Sequence, residues 1–283
     1  MLPAQSISKI WHIPRLHNVE LLRGQHLTQS FPLHTHEQYA IGVIEHGALG
    51  FYYRGENVVA TRGQINLCIP DEPHTGQPAT LKGWGYRMFY LEPEFLENIV
   101  SDMAGFSRGL PFFQSGVISD DAVALELLNV HRLLENPATS LLESETVLQN
   151  VLARFIGRYG DATVRPQKFG REPRAVTQIK QFLEANFSED VSLAALSRVT
   201  GLNRFHLVHV FTKAVGIAPH AFLRQIRVKN AKKLLLEEQD IASVALACGF
   251  ADQSHLTRWF KRLWAVTPAQ YRKSVQDAQR LSQ

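Results

Sequence analysis

Side chains that can hydrogen-bond to the edges of DNA bases lie close together near residue 255 of this chain. Gln253 and Ser254 are followed one helical turn later by Thr257 and Arg258, so a helix would place all four on one side. Arginine pairs with guanine, glutamine pairs with adenine, and threonine can contact the methyl group of thymine. The stretch therefore predicts a helix that reads the major groove of duplex DNA.

The surrounding sequence occurs twice in the chain. The segment from Leu193 to Phe222 aligns with the segment from Ile241 to Tyr271, in a register of 48 residues up to a shared glycine and 49 residues after it. The two copies keep a glycine, a phenylalanine and a proline in step. Such a duplication indicates two copies of one functional unit.

Each copy predicts two short helices joined by a glycine turn. Ser192 and Asp240 suit helix N-caps, and Gly201 and Gly249 supply the turns. A second helix with a polar face after such a turn is typical of a helix-turn-helix, predicted here for residues 192–215 and 240–264. The alternative is a helical bundle with an ordinary solvated face. The predicted buried stripes are Leu207, Val210, Phe211 and Ala214 in the first copy, and Leu256, Trp259, Phe260 and Leu263 in the second.

The positive charge of the chain belongs to its duplicated part. Residues 174–283 hold 16 Lys and Arg against 8 Asp and Glu, whereas the rest of the chain holds 14 against 18. This asymmetry is expected of a DNA-binding domain. A helix predicted from about His220 to Leu236 joins the copies over roughly 25 Å. Two rigidly held helices could then enter successive major grooves about 34 Å apart on one face of the DNA.

The second copy carries a motif that resembles the DNA-binding domain of AraC-type transcriptional regulators. The motif runs from Ile241 through Val244, Ala245, Cys248, Gly249, Phe250, Ser254, Leu256, Arg258, Phe260 and Lys261 to Pro268, Tyr271 and Arg272. Leu256 and Ala265 depart from the usual phenylalanine and glycine, which are mild packing and turn changes.

The resemblance implies base contacts from the exposed start of each recognition helix. Because Phe205 and Val208 are apolar on a face expected to be exposed, they also suggest contact with thymine methyl groups. Four cations at the start of the first recognition helix and toward the ends of both helices are better placed for the phosphates, where they add affinity without sequence choice. The predicted base contacts are Phe205, Val208, His209, Gln253, Ser254, Thr257 and Arg258, and the predicted phosphate contacts are Arg204, Lys213, Lys261 and Arg262.

Composition places the chain among water-soluble globular proteins. It has 283 residues, 45% of them hydrophobic, with a mean hydropathy of −0.13. We expect a cytoplasmic protein, because no apolar run approaches the roughly 18 residues of a membrane helix and the N-terminus lacks the apolar core of a secretory signal. Cys68 and Cys248 are the only cysteines, which predicts two buried thiols rather than a disulfide.

The N-terminal half predicts strands. Between about Val19 and Leu91, short β-branched or aromatic segments are separated by glycines, which favours a β-barrel or jelly roll. The phrases 31–37 and 63–74 resemble the two halves of a cupin barrel, specifically the effector-binding domain of AraC-type regulators. The predicted fold class is therefore a two-domain chain, with an N-terminal all-β cupin-like barrel plus a helical pair and a C-terminal all-α double helix-turn-helix.

Histidines in these two phrases could line a ligand pocket, hold a metal, or cap the barrel mouth. Cupins often bind a metal through histidines and a carboxylate, but the expected carboxylate position falls on Ile41. We therefore predict no metal and no cofactor. The barrel instead suits a small-molecule effector. The candidate effector-binding residues are His34, His36, Tyr39, His74, Tyr86 and Tyr90.

The predicted order is an irregular arm (1–17), the barrel (18–116), a helical region (117–160), a linker (161–173) and the DNA-binding domain (174–283). In related regulators the helical region forms a homodimer. The sequence thus predicts a non-enzymatic, ligand-responsive regulator that binds double-stranded DNA and a small-molecule effector. The resemblance implies an activator that contacts RNA polymerase, and repression is left open. Two alternatives stay open: a metal-dependent cupin enzyme with a DNA-binding appendage, and a regulator without an effector.

Overall fold

The glycine-separated segments of the N-terminal half form antiparallel strands. The computed structural model describes residues 7–160, 172–237, 239–264 and 266–273. The strands among these residues are β1 (Ile7–Ile13), β2 (Val19–Leu27), β3 (Phe31–His34), β4 (Tyr39–Tyr53), β5 (Glu56–Thr61), β6 (Ile65–Cys68), β7 (His74–Pro78), β8 (Trp84–Leu91) and β9 (Val117–Ile118).

The strands pair in the order β1-β2-β8-β4-β6-β9, and β7 and β5 pair with the second half of β4. Two segments predicted as separate strands form the single strand β4. At its midpoint Gly47 has a φ of 68°, and a Cβ there would lie 2.0 Å from the carbonyl oxygen of Gly83. Only glycine allows this bend, which lets one strand serve both walls of the barrel.

The predicted irregular arm is wrong over residues 7–13. These residues form β1, which pairs with β2 from Ile7 opposite Gln25 to Ile13 opposite Val19. Ser8 to Ile10 are exposed, so backbone hydrogen bonds rather than a buried side-chain pattern hold the strand. A strand of this kind leaves little trace in the hydrophobic pattern.

Helices follow the barrel. They are α1 (Pro93–Ala104), α2 (Asp121–Leu134) and α3 (Leu141–Tyr159). Asp120 caps α2, accepting hydrogen bonds from the backbone N–H groups of Ala122 and Val123. The chain divides into two compact units. One comprises Met1–Asn136 and Val147–Lys168, and the other comprises Pro137–Thr146 and Phe169–Gln283, so the region predicted as 117–160 is shared between them.

The second unit is helical in its described residues. Its helices are α4 (Pro173–Ala185), α5 (Leu193–Thr200), α6 (Arg204–Val215), α7 (Pro219–Leu234), α8 (Ile241–Ala247) and α9 (Gln253–Trp264), followed by a short helical turn over 268–273. Residues 161–171 of the predicted linker lie outside the described residues, and α4 begins at Pro173.

Two hydrophobic clusters stabilise this unit, one for each copy of the repeat. Leu196, Leu207 and Phe211 belong to the first, and Val244, Leu256 and Phe260 belong to the second. The predicted stripes were wrong at their last positions, because Ala214 is exposed and Leu263 is 42% exposed. The final turn of each of these helices lies outside the hydrophobic cluster.

The two cysteines are free and buried, as predicted. Among the described residues, no helix is long and apolar enough to span a membrane.

Candidate DNA-reading surface and barrel pocket

Local sequence starts each recognition helix at a defined point. In the first copy, α5 ends at Gly201, whose φ is 71°, and the Asn203 side chain caps α6 by accepting from His206 N at 2.7 Å. In the second copy, Gly249 has a φ of 76° and Asp252 accepts from His255 N at 2.7 Å. The capping residues Asn203 and Asp252 were not predicted, although both types are preferred N-caps.

The exposed face of α9 carries the predicted base-reading side chains. Gln253, Ser254 and Arg258 are exposed and Thr257 is half-buried, while Lys261 and Arg262 are exposed toward the C-terminal end. Leu256 and Phe260 are fully buried on the opposite side. The helix therefore presents hydrogen-bonding groups at its start and cations at its end, and it is anchored by its apolar stripe.

The matching face of α6 is narrower than predicted. His209 and Lys213 are exposed, and Arg204 and Phe205 are half-buried. Val208 is only 4% exposed and belongs to the first hydrophobic cluster, so its predicted base contact is wrong. The apolar stripe of α6 is wide enough to include residues 207 and 208 together, and a valine inside it packs against the core.

Two arginines on α7, the buried Arg227 and the half-buried Arg224, connect the halves of the helical unit. The Arg227 guanidinium donates to the carbonyl oxygens of Phe187 and Glu189 at 2.7 and 2.8 Å. The Arg224 guanidinium lies 3.5 Å from the ring centroid of Trp259 on α9 and forms an ion pair with Glu143 at 2.7 Å. These contacts brace α9 against α7, which gives the recognition helix a fixed support.

A cavity of about 140 Å³ lies inside the barrel. Its lining combines aromatic and aliphatic side chains with hydrogen-bonding ones. The lining residues are Leu22, Phe31, His34, His36, Ala40, Leu49, Phe51, Asn66, Cys68, His74, Thr75, Gly76, Trp84, Tyr86, Met88 and Tyr90.

Five of the six predicted effector-binding residues line this cavity: His34, His36, His74, Tyr86 and Tyr90. Tyr39 does not. It is 2% exposed, and its hydroxyl donates to the carbonyl oxygen of Pro111 at 2.7 Å. Because successive strand residues face opposite sides, Ala40 faces the cavity and Tyr39 faces away from it.

The three histidines form a cluster with a common tautomer. The His34 and His74 ring centroids are 4.4 Å apart, and those of His36 and His74 are 4.7 Å apart. Each Nδ1 lies 2.7–2.8 Å from a backbone carbonyl oxygen, that of Pro32, Gln38 or Glu72. Since a carbonyl oxygen only accepts hydrogen bonds, each Nδ1 carries the proton, which leaves Nε2 for a ligand.

Burial keeps two of these imidazoles neutral near pH 7. It lowers the pKa of His74 to about 4, helped by repulsion from His36 and His34. Burial also lowers the pKa of His36, with His34 adding to the effect. Desolvation disfavours the charged form of a base, so an anion entering the cavity would reverse this shift.

The cavity also contains two polar groups that sequence reasoning missed. Trp84 is 0% exposed and Asn66 is 4% exposed. Among the described residues, neither the Trp84 indole N–H nor the Asn66 Oδ1 has a hydrogen-bond partner. Trp84 precedes Tyr86, Met88 and Tyr90 at intervals of two along β8, so the alternation of that strand could have predicted it.

The cavity does not fit a cupin metal centre. Among the described residues, no group of three or more His, Cys, Asp or Glu side chains has a geometry that could hold a metal ion. Ile41 occupies the position of the expected carboxylate ligand, and its side chain is fully buried.

Comparison with known protein families agrees with this division of the chain. Residues 16–151 match the family described as the AraC-like ligand binding domain. Residues 196–274 match a helix-turn-helix domain family.

Curated relatives include uncharacterized HTH-type transcriptional regulators. One of them, YbfI of Bacillus subtilis, is 32% identical over 246 residues, which cover 86% of this chain and 87% of that protein. Another, from Staphylococcus aureus strain COL, is 30% identical over 151 residues, which cover 53% of this chain and 20% of that protein.

Two regulators of solved structure also match parts or most of this chain. A probable AraC family transcriptional regulator from Rhodopseudomonas palustris is 25% identical, with 36% of this chain and 96% of that chain covered and a TM-score of 0.35. ToxT from Vibrio cholerae is 13% identical, with 95% of this chain and 98% of that chain covered and a TM-score of 0.37.

A sheet-rich ligand-binding domain followed by a helix-turn-helix domain defines a DNA-binding transcriptional regulator. The chain belongs to the AraC family of these regulators.

Proposed function

We propose that the chain is a ligand-responsive activator that reads DNA with α6 and α9 and binds its effector in the barrel cavity. The main support is the repeated helix-turn-helix, in which each recognition helix exposes polar or cationic side chains over a buried stripe. Such a face suits the major groove. The protein acts in the cytoplasm, where its DNA is.

Each recognition helix contacts both bases and phosphates. In α9, Arg258 pairs with guanine and Gln253 with adenine, while Ser254 and Thr257 contact neighbouring bases. In α6, His209 and the half-buried Phe205 contact bases. Phosphates are bound by cations near the ends of the helices, where they fix the register of the protein. These cations are Arg204, Lys213, Lys261 and Arg262.

The barrel controls this surface through its ligand. An effector shifts the regulator toward one DNA-binding arrangement only to the extent that it binds that arrangement more tightly. His34, His36, His74, Tyr86 and Tyr90 contact the effector in the cavity. The neutral, closely spaced imidazoles support this role, because they form a polar patch beside the aromatic and aliphatic side chains of the cavity.

Dimerisation and activation complete the proposal. Helix α2 exposes Leu125 (56%), with Ala122 and Asn129 exposed at helical spacing beside it. An exposed leucine flanked by small or polar residues suits helix pairing in a homodimer. Bound near a promoter, such a dimer offers RNA polymerase a contact surface, and this is how we propose that it activates.

Selection from a randomised duplex pool tests the DNA-binding role. We expect the full chain to enrich a defined, non-palindromic sequence at moderate salt, because two different helices read it. Recovery of unrelated sequences in proportion to the input pool would contradict sequence-specific binding.

A further inference from the structure

The effector's chemical class can be inferred from the cavity, provided that the barrel is the effector site as proposed above. The cavity holds about 140 Å³, close to the roughly 150 Å³ that accommodates benzene in another protein. A ligand of this size has one ring and a few substituents. A larger effector, such as a disaccharide or a dipeptide, would extend beyond this volume.

The walls favour a flat ring. Aromatic side chains of Phe31, Phe51, Trp84, Tyr86 and Tyr90 surround the cavity, and aromatic rings pack well against one another in offset or edge-to-face geometry. A monosaccharide of similar size carries about five hydroxyl groups, each of which needs a partner once it is buried. Half of the described lining residues carry hydrogen-bonding side chains, so it is the aromatic walls, and not a lack of polar groups, that favour a flat ring over a sugar.

The ionisable side chains that line the cavity favour an anionic ligand over a cationic one. Among the described residues that line the cavity, none is Asp, Glu, Lys or Arg, so an ammonium group would be buried there without a counter-charge. The three histidines are the lining residues that can become cationic. Burial raises the pKa of Cys68 and Tyr90 to about 12, so these two groups stay neutral and do not repel a carboxylate.

Two polar groups of the cavity wall without hydrogen-bond partners among the described residues indicate that the ligand carries a further polar substituent. Trp84 supplies a buried N–H donor and Asn66 a buried oxygen acceptor, both without a partner among the described residues. A buried polar group without a partner is destabilising. A hydroxyl group can accept from one of them and donate to the other.

We propose that the barrel binds a hydroxylated monocyclic aromatic acid. Its ring packs among the aromatic walls, and its hydroxyl contacts Trp84 and Asn66. Its carboxylate lies at the Nε2 atoms of His34, His36 and His74, where the histidine cluster takes up a proton from solvent so that Nε2 can donate to it. The histidines give affinity for the acid, and the two wall groups distinguish hydroxylated from plain rings.

Isothermal titration of the full chain with para-hydroxybenzoate tests the proposal. Benzoate lacks the hydroxyl, para-hydroxybenzyl alcohol lacks the carboxylate, tyramine carries an ammonium, and glucose represents the sugars. We expect para-hydroxybenzoate to bind at least about tenfold more tightly than each of the others, because a site that hydrogen-bonds a hydroxyl rejects the analogue lacking it.

Variants assign the contacts. Trp84→Phe keeps the ring but removes the N–H, so it should abolish most of the preference for para-hydroxybenzoate over benzoate. His74→Asn should weaken both acids about equally. Tyr39→Phe is the matched control: it removes a buried hydroxyl outside the cavity and should leave all affinities unchanged. Near-UV circular dichroism of each variant confirms that the barrel is folded.

Several results would overturn the ligand class. They are no binding of para-hydroxybenzoate at millimolar concentration, equal binding of benzoate, tighter binding of tyramine or glucose, and stoichiometric zinc binding that His74→Asn removes. The proposed function is judged separately. If another probe binds and changes DNA affinity, the barrel remains the effector site and only the ligand class is wrong. If Trp84→Phe and His74→Asn alter no ligand's binding, the barrel role fails as well.

Discussion

At the residue scale, strand and helix periodicity decided which of the predicted side chains face the cavity or the exposed side of a helix. Tyr86 and Tyr90 line the cavity with Met88 because β8 alternates strictly. Tyr39 does not line the cavity, because its neighbour Ala40 occupies the inward-facing position of the strand. The alternation of β4 could have predicted this difference. The burial of Val208 was harder to predict, because the width of an apolar stripe depends on what packs against it and not on the helix alone.

Arg258 and Lys261 should respond differently to removal, because one is placed for bases and the other for phosphate. Arg258→Ala should lose roughly 1–3 kcal/mol of discrimination at particular base pairs. Lys261→Ala should weaken binding to all duplexes alike and reduce the salt slope by about 1. Competition binding on single-base variants of the selected site, at several salt concentrations, measures both.

Lys82→Ala serves as the control, because Lys82 is an exposed cation in the barrel domain. It should change neither quantity. An equal loss on every sequence from Arg258→Ala would contradict a base-reading role for that side chain.

At the element scale, the glycine turns of the two copies are equivalent in conformation but not in surroundings. Gly201 and Gly249 both have a positive φ, 71° and 76°. A Cβ on Gly201 would meet no atom within 4 Å, whereas one on Gly249 would lie 2.6 Å from the backbone oxygen of Ser188. Among the described residues, another part of the chain therefore lies within reach of an added Cβ at the second turn and not at the first.

The pair Gly201→Ala and Gly249→Ala separates conformational strain from steric clash. Gly201→Ala should destabilise the helical unit by about 1–2 kcal/mol, the strain of a left-handed alanine. Gly249→Ala should lose a further ~1–3 kcal/mol, because backbone atoms must move. Urea unfolding followed by far-UV circular dichroism measures both, and equal losses would show that the contact at Ser188 is unimportant.

A buried histidine connects α2 to the barrel and makes the barrel domain sensitive to acid. His131 is fully buried, and burial, with repulsion from Arg87, lowers its pKa to about 4. The unfolded chain therefore binds this proton more strongly than the folded chain. The contribution of His131 to the free energy of unfolding is therefore fully present above the unfolded pKa of about 6.5, and it is lost as pH falls toward about 4.

The expected slope can be measured directly. Between about pH 7.5 and pH 5, the free energy of unfolding of the barrel domain should fall by roughly 1–2 kcal/mol through this group. The slope should be shallower in His131→Gln. His12→Gln, at an exposed histidine of β1, should retain the wild-type slope. An unchanged slope in His131→Gln would contradict the assignment.

Strand β1 and the continuous strand β4 were the elements that sequence predicted least well. β1 carries no buried pattern, and the continuity of β4 depends on Gly47, which looks like a turn residue when read alone. The helices were predicted more accurately, because capping residues such as Asp120, Ser192 and Asp240 mark their starts locally.

At the scale of the whole molecule, the duplication and the charge asymmetry predicted the DNA-binding half, and the family comparisons confirmed its class. The division of α3 between two compact units was not predicted. It depends on contacts such as Glu143 with Arg224 and Glu145 with the backbone N–H of Leu193. Such contacts join residues far apart in sequence, and no local pattern reveals them.

The most direct test of the account is a base-by-base affinity scan of the selected DNA site with the wild-type chain, His209→Ala and Arg258→Ala. If α6 and α9 read successive major grooves, the two variants should lose discrimination in separate blocks, with centres about 10 base pairs apart. A single block shared by both variants, or a site indifferent to one of them, would contradict the claim that both helices read the DNA.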